Sequence, residues 1–168
     1  MTVLVTAASR HGATDEIADA IGRVLVECGV EADVRKVEDV DDLARYDGVV
    51  LGSAVYFGKW LDSARRFVDE HAGELVERPT WLFSSGPTGA SLQPEGKRAV
   101  EIDEIAEKTG ALEHRLFAGR IERRELGFAE RAVVRAVRAE TGDFRDWDAI
   151  KAWAAGIADA VRTGAARP

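Results

Sequence analysis

The sequence predicts an α/β fold, a three-layer sandwich in which a parallel sheet lies between two layers of helices. Short β-branched runs alternate with longer amphipathic stretches along the chain, and this alternation is typical of parallel strands joined by crossover helices. Two of the runs, Val3-Leu4-Val5 and Val49-Val50-Leu51, are continuously apolar. Continuous apolar runs favour strands that are covered on both faces, as the central strands of such a sandwich are.

The elements follow in order from these patterns. The predicted strands are Thr2–Ala7, Glu31–Lys36, Gly48–Ser53, Thr80–Ser84 and Glu113–Ala118. Apolar residues at helical spacing predict helices around Ile17 to Cys28, Trp60 to Val68, Val100 to Ala106 and Ile150 to Val161. Gly29 is placed to end the first helix and Asp146 to cap the last.

Length and composition predict one ordinary globular domain over residues 1–168, with an insert at about 119–145 and a frayed tail at Thr163–Pro168. The lone Cys28 excludes an internal disulfide and a Cys-rich zinc site. The first residues carry no basic region typical of a signal peptide, and no apolar run approaches the ~18 residues that a membrane span needs. We therefore expect a cytoplasmic protein.

The charge balance is acidic but uneven. Thirty Asp and Glu against 23 Lys and Arg give a net charge of −7, which argues against nucleic acid as a partner, because nucleic-acid binding needs a basic face. The segment from Arg120 to Arg138 runs the other way: its six Arg and three Glu give a local charge of +3.

The loops after the strands are where an open α/β sheet binds ligands. After the first strand, Ser9-Arg10-His11-Gly12-Ala13-Thr14 leads directly into a helix. Hydroxyls, a flexible glycine and a helix N-terminus together favour an anion site. The same residue types also end ordinary strand-to-helix turns, so composition by itself leaves both interpretations open.

Two further loops could flank a flat ring. Ala54-Val55-Tyr56-Phe57-Gly58 follows the third strand and is rich in aromatics, which stack on conjugated rings; the alternative is that these aromatics only cover the end of the sheet. Ser85-Gly86-Pro87-Thr88-Gly89 follows the fourth strand and could present amides to a ring edge.

Several nucleotide-binding and catalytic patterns are absent. The chain has no G-x-G-x-x-G, no Walker G-x-x-x-x-G-K-[ST] and no G-x-S-x-G, so the fingerprints of a dinucleotide site, an NTPase and an α/β-hydrolase are missing. The first and third strands end in small residues rather than the Asp residues of a phosphoacceptor domain. The three His residues lie on separate elements, with His71 expected on a helix surface and His114 on a strand edge. We name no catalytic side chain and no metal ligand.

Taken together, the three loops resemble those of the flavodoxin family. The loop Ser9–Thr14 is similar to the family's Thr-x-x-Gly-x-Thr phosphate loop, and with Glu16-Ile17-Ala18 it looks most like the menaquinone-dependent protoporphyrinogen oxidase branch. Phe57-Gly58-Lys59-Trp60 is similar to an aromatic-Gly-x-aromatic step of that branch, and Asp146-Trp147 also matches near the end.

The resemblance implies a flavodoxin-like, doubly wound five-stranded parallel sheet of order 2-1-3-4-5, with an extra helical insert after the fifth strand. It also implies FMN as cofactor, with the phosphate on Ser9, Arg10, His11, Gly12, Ala13 and Thr14. The flavin ring would lie between Ala54, Val55, Tyr56, Phe57 and Gly58 on one side and Ser85, Gly86, Pro87, Thr88 and Gly89 on the other. The chemistry would then belong to the flavin, and the protein would set its potential and access.

The insert distinguishes this chain from small flavodoxins. It predicts a short helix from Phe128 to Glu140 with Arg131, Arg135 and Arg138 on one face. That face could contact anionic lipid at the inner face of the membrane or the propionates of a tetrapyrrole, or it could simply be solvated. The insert of the oxidase branch is bulkier and richer in aromatics and Lys.

Three functions follow from these observations. The first is an FMN-dependent oxidoreductase that passes reducing equivalents from a tetrapyrrole substrate to a quinone. The second is a one-electron carrier that docks with a redox partner through its acidic surface. The third is a flavin-free interaction domain, in which the aromatic loop closes the site.

Overall fold

The computed structural model describes residues 1–86, 98–121, 127–136 and 142–165. Its strands are β1 (Thr2–Ala8), β2 (Glu31–Lys36), β3 (Gly48–Tyr56), β4 (Lys59–Trp60), β5 (Thr80–Gly86), β6 (Glu113–Ala118), β7 (Arg120–Ile121) and β8 (Gly142–Asp143). Its helices are α1 (Ala13–Glu27), α2 (Asp62–Val76), α3 (Arg98–Thr109), α4 (Phe128–Ala136) and α5 (Trp147–Thr163), with a 3₁₀ turn at Val37–Asp39.

Five parallel strands form the central sheet in the order β2-β1-β3-β5-β6. Because β4 is a short antiparallel addition to β3, this is the predicted order 2-1-3-4-5 counted over the five main strands. The fold class is therefore confirmed. β2 and β6 have the predicted bounds, whereas β1, β3 and β5 run one to three residues further than predicted.

The sheet separates two apolar clusters. On one face, Val3, Val5 and Phe83 pack with residues of α1 and α5, including Ile21 and Ile157. On the other, Leu4, Leu51 and Leu82 pack with residues of α2 and α3. Since side chains alternate along a strand, the continuous apolar run Val3-Leu4-Val5 supplies both clusters at once.

The predicted helix ends are confirmed at two places. Gly29 follows α1 with a φ of +82°, the left-handed conformation in which glycine ends helices. The Asp146 side chain accepts a hydrogen bond of 2.9 Å from the Ala149 amide and caps α5. α5 continues to Thr163, so the helix includes the first residue of the predicted frayed tail, whose last residues, 166–168, lie outside the described part of the chain.

The insert is joined to the rest of the fold by a neck formed by the short strands β7 and β8. β7 and β8 pair antiparallel, with Arg120 opposite Asp143, and the Phe144 amide donates to the Gly119 carbonyl at 3.1 Å. α4 covers Phe128–Ala136 of the helix predicted to reach Glu140, and residues 137–141, including Arg138, lie outside the described residues. The neck returns the chain to the edge of the sheet where β1, β3 and β5 end.

Candidate functional site

Three strand ends meet at one edge of the sheet and bring the predicted site loops together. The register pairs that define this edge are Ala8 with Ser53, Ala54 with Ser85, and Gly86 with Ala118. The loop after β1, the turn after β3 and the end of β5 are therefore neighbours. This is the position at which doubly wound sheets bind ligands.

The loop after β1 ends in an uncapped helix. Gly12 is the N-cap residue of α1, with a φ of +80° and no side-chain hydrogen bond to the helix. The first helical bond runs from the Glu16 amide to the Gly12 carbonyl at 3.0 Å, so the amides of Ala13, Thr14 and Asp15 have no acceptor within the helix. A Cβ atom placed on Gly12 would meet nothing within 4 Å. An anion fits this geometry, because free amides and the helix dipole both favour negative charge here.

Ser9 and Thr14, at the two ends of this loop, differ in how exposed they are. Thr14 is buried, with 2% of its surface exposed, whereas Ser9 is half-buried and Arg10 is exposed. The hydroxyl of Ser9 is therefore the more accessible to a ligand. His11 and Ala13 are half-buried beside them.

The predicted aromatic loop after β3 is a hairpin, which corrects the sequence prediction. Ala54, Val55 and Tyr56 belong to β3, and Lys59–Trp60 folds back as β4. Only Phe57 and Gly58 turn, both with positive φ (51° and 76°), as a two-residue type I′ turn requires.

Trp60 was predicted at the start of the second helix, and this is wrong. It lies in β4 opposite Val55, and α2 begins two residues later, at Asp62. Its helical spacing to Ala64 and Phe67 arises because all three side chains enter the same apolar cluster. Ala64 and Phe67 share α2, whereas Trp60 joins them only by being buried on the same side of the sheet.

The loop Ser9–Thr14 contacts the hairpin through Tyr56. The Arg10 guanidinium lies 5.5 Å from the centre of the Tyr56 ring, within cation–π distance. The His11 ring meets the same tyrosine edge-on, with 6.4 Å between the ring centres. Residues 46 positions apart thus form one wall of the candidate site.

The third predicted loop starts later than expected. Ser85 and Gly86 are strand residues of β5, because Ser85 still pairs with Ala54 and Gly86 with Ala118. Gly86 is closely packed: a Cβ atom there would lie 3.2 Å from the Cβ of Val55, so Val55 would have to shift slightly. Pro87, Thr88 and Gly89 lie outside the described residues.

A polar chain under the hairpin was not predicted. The Trp60 indole donates to the Ser84 hydroxyl at 2.7 Å, and that hydroxyl is 2.8 Å from Nε2 of His114. Ser53 Oγ accepts from the Leu61 amide at 3.0 Å. These bonds join β3, β4, β5 and β6, and no local pattern indicates them, because their partners come from four separate strands and the start of α2.

A second missed feature is an arginine pair beside α1. Arg120 and Arg145, from the two ends of the insert, both bond to the Glu16 carboxylate, at 2.9 Å and 2.7 Å. Burial would raise the pKa of Glu16, but the hydrogen bonds and charges of Arg145 and Arg120 outweigh it and the pKa is lowered. The neighbouring Asp15 has a raised pKa, chiefly because it is partly buried.

The histidines do not form a cluster with each other. His71 was expected on the surface of a helix, but it is buried, with 8% exposed. Its ring packs on Phe67 at 4.6 Å, and Nδ1 lies 2.9 Å from Glu74. His114 lies on the edge strand β6 as predicted, with its ring directed to Ser84.

The insert helix presents apolar and basic groups to solvent. Phe128 is 93% exposed, and Arg131 and Arg135 are exposed along the same helix. Arg120, by contrast, turns inward to Glu16 and is not part of that surface. The basic residues of the insert thus divide between an inner contact, made by Arg120, and the outer face predicted to carry Arg131 and Arg135.

Comparison with known proteins identifies the family. The sequence model described as "Flavodoxin domain" matches residues 4–148, and the chain belongs to this family. It is 31% identical to protoporphyrinogen IX dehydrogenase (quinone) of Escherichia coli strain K12 over 110 residues, which are 64% of this chain and 59% of that protein. The chain therefore aligns with less than two thirds of that relative's length.

Two further similarities extend along most of the chain. The protein of the same name from Leishmania major is 25% identical over 170 residues, covering 92% of this chain and 74% of that one. A flavodoxin from the domain Archaea superposes with a TM-score of 0.67 at 19% identity, covering 96% of this chain and 99% of the other. At that identity the structural match shows the fold alone.

As a member of the flavodoxin family, the protein binds FMN. The uncapped start of α1 fits the phosphate of this cofactor, since it offers unpaired amides and open space at Gly12. Within residues 1–86, 98–121, 127–136 and 142–165, no helix combines the length and apolarity needed to cross a bilayer.

Proposed function

We propose that this protein is an FMN-dependent oxidoreductase that takes hydrogen from a protoporphyrinogen-type tetrapyrrole and reduces a quinone. The observation that carries the proposal is the 31% identity to the Escherichia coli protein named for that reaction. In each oxidation step the substrate loses a hydride equivalent and a proton, and the quinone gains both and becomes a quinol. When bound, FMN supplies a ring that accepts a hydride equivalent from one partner and gives it to the other.

In this proposal the chain's residues bind and orient the cofactor. The amides at the start of α1, with the hydroxyls of Ser9 and Thr14, hold the phosphate. Ala54–Gly58 and Ser85–Gly89 flank the ring, with Tyr56 fixed in place by Arg10 and His11. No side chain is assigned as an acid or base.

Phe57 is the group best placed to meet a second flat molecule. It is 77% exposed at the tip of the hairpin, and its φ of 51° is a conformation that side chains other than those of Gly, Asn and Asp rarely adopt. An exposed aromatic in such a conformation beside a ligand site is consistent with a functional role. We assign it to stacking on the tetrapyrrole or the quinone.

The outer surface of the insert is proposed to contact either the membrane or the substrate itself. Phe128, Arg131 and Arg135 combine an apolar group with two cations, which suits either an anionic lipid surface or the propionates of a tetrapyrrole. Contact with lipid would place the protein at the inner face of the cytoplasmic membrane, where quinones reside.

An electron carrier without its own substrate is the second candidate. The net charge of −7 favours it, because an acidic surface can steer docking with a redox partner. A carrier would exchange electrons with a protein partner at a rate that falls as salt is added, since charge complementarity steers such encounters.

The test is anaerobic turnover of the holoprotein. Protoporphyrinogen and a menaquinone analogue are mixed with the purified FMN-loaded chain, and protoporphyrin is followed by its fluorescence. With substrate in large excess over the protein, we expect protoporphyrin to accumulate only when holoprotein and quinone are both present. If no protoporphyrin forms while a flavodoxin reductase reduces the protein in a salt-sensitive manner, the oxidoreductase is excluded and the carrier is supported.

A further inference from the structure

The two ends of the insert hold the loop that the proposed function assigns to the FMN phosphate. Arg120 Nη1 bonds to Glu16 at 2.9 Å, and its Nη2 reaches the His11 carbonyl at 3.4 Å. Arg145 Nη1 bonds to Glu16 at 2.7 Å and reaches the Ala13 carbonyl at 3.3 Å. The insert thus bonds both to the first turn of α1 and to the backbone of the loop before it.

Both arginines are largely buried in this contact, and Arg145 is held there by several partners. The Arg145 side chain is only 3% exposed and that of Arg120 16%. Asp143 binds Arg145 through both carboxylate oxygens, at 2.8 Å and 2.6 Å, and the guanidinium lies 4.5 Å from the Trp147 ring centre. A buried guanidinium with a bidentate partner and an aromatic neighbour is held in one orientation.

Charge is the first consequence. Glu16 lies in the first turn of α1, where a free carboxylate would repel a phosphate bound to the same turn. The two arginines balance the charges of Glu16 and Asp143, so the group of four is neutral overall. A phosphate can then interact with the helix N-terminus without an opposing negative charge.

Backbone orientation is the second consequence. In a trans peptide the carbonyl and the next amide point in opposite directions, and the described chain has no cis peptide bond. When the arginines hold the carbonyls of His11 and Ala13, the amides of Gly12 and Thr14 point away from the insert. The insert therefore turns two N–H donors of the loop toward the side on which a phosphate would bind.

We propose that Arg120 and Arg145 are positioning residues for the FMN phosphate, and that the insert thereby sets the preference for FMN over riboflavin. This inference rests on the proposed assignment of the phosphate to Ser9–Thr14. It gives the insert a role at the cofactor in addition to the proposed contact of its outer surface. The two roles use different arginines.

The experiment compares two flavins that differ only in the phosphate. Apoprotein is titrated with FMN and with riboflavin, and the ratio of the two Kd values is measured for wild type, Arg145→Gln and Arg120→Gln. Each variant should lose about tenfold or more in FMN affinity, while riboflavin affinity changes by less than about twofold. Arg145→Lys, which keeps the charge but loses the fork of N–H donors, should restore only part of the preference.

Arg115→Gln is the matched control. Arg115 pairs with Glu113 two residues before it, as Arg145 pairs with Asp143, but it lies on the edge strand β6 away from α1. The control loses the same charge and should keep the wild-type ratio. Thermal unfolding of each apoprotein separates a loss of stability from a loss of phosphate recognition.

The outcomes are distinct. If wild type does not prefer FMN, both the assigned phosphate loop and the role of the arginines are wrong. If wild type prefers FMN but the Gln variants keep that preference, or lose FMN and riboflavin affinity equally, the positioning role alone is overturned. If Arg145→Lys is as impaired as Arg145→Gln, the role of charge is contradicted, and the effect belongs to the hydrogen bonds by which the guanidinium orients the backbone. If buried Arg145 tolerates no substitution, the more exposed Arg120→Gln decides the question in the same way.

Discussion

The indole N–H of Trp60 donates a 2.7 Å hydrogen bond to the hydroxyl of Ser84, which ties the hairpin after β3 to the neighbouring strand β5. Both side chains are buried, with 2% and 1% exposed. A hydrogen bond in this position holds the hairpin that carries Tyr56 and Phe57. Its loss should therefore affect stability and the candidate site together.

Trp60→Phe should destabilise the protein by about 1–3 kcal/mol, because it removes a buried donor and leaves the Ser84 hydroxyl with one partner fewer. Urea unfolding of Trp60→Phe, Ser84→Ala and the double variant forms a double-mutant cycle. We expect a coupling free energy of about 1 kcal/mol between the two sites. Additive single-variant effects would show that the bond contributes nothing to stability.

Gly52→Ala and Gly73→Ala should have opposite effects. A Cβ atom at Gly52 would lie 2.1 Å from the ring of Phe83, which is fully buried, so the first change should cost about 1–3 kcal/mol. At Gly73, in α2, a Cβ atom meets nothing within 4 Å, and the second change should stabilise by about 0.5–1 kcal/mol. Urea midpoints measure both; a stable Gly52→Ala variant would mean that Phe83 can move aside.

Asp15 and Glu16 are adjacent carboxylates whose pKa values shift in opposite directions. The lowered pKa of Glu16 means that its ionised form stabilises the fold at pH values above the ordinary carboxyl pKa of 4.5, and this stability is lost as the pH falls through the folded pKa. The raised pKa of Asp15 means that its ionisation opposes folding at neutral pH. This opposition disappears as the pH falls below 3.8.

At pH 7, Asp15→Asn should therefore raise the Tm and Glu16→Gln should lower it, each by about 1–3 °C. Scans between pH 7 and pH 3 should show the two differences shrinking toward acid pH. Each variant serves as the control for the other, because they remove the same charge from the same helical turn. Shifts of the same sign at pH 7 would contradict the opposite pKa directions.

Phe57→Asn should stabilise the hairpin while impairing the proposed activity. Asn tolerates a φ of 51° better than Phe does, and Asn-Gly is the preferred pair for this turn, so a Tm increase of about 2–4 °C is expected. Protoporphyrin formation should fall because the aromatic ring is gone. Phe57→Leu, which removes the ring but keeps the strained φ, should lose activity without gaining stability; full activity in both variants would exclude stacking by Phe57.

The predicted and observed bounds of the strands show how much of the fold could be predicted from the sequence. Glu31–Lys36 and Glu113–Ala118 have the predicted bounds, and glycines lie close to three of their four ends: Gly29 before the first strand, and Gly110 and Gly119 on either side of the second. β3 and β5 were predicted too short. Ala54 and Ser85, which have little strand preference, extend their strands by pairing with each other, and Val55 and Tyr56 extend β3 by pairing with β4. Strand length at the ligand edge thus depends on the neighbouring strand.

In the candidate site, too, some features could be predicted from the sequence and others could not. The amino-acid sequence alone determined the class of fold and predicted Ser9–Thr14 as the phosphate loop, because both depend on residues that are close together in the chain. Only the tertiary structure brought Arg145 to Glu16, 129 positions away, and Trp60 to Ser84, 24 positions away. Such pairs form because packing of the helices and the insert on the sheet excludes water from them, and local spacing carries no information about those contacts.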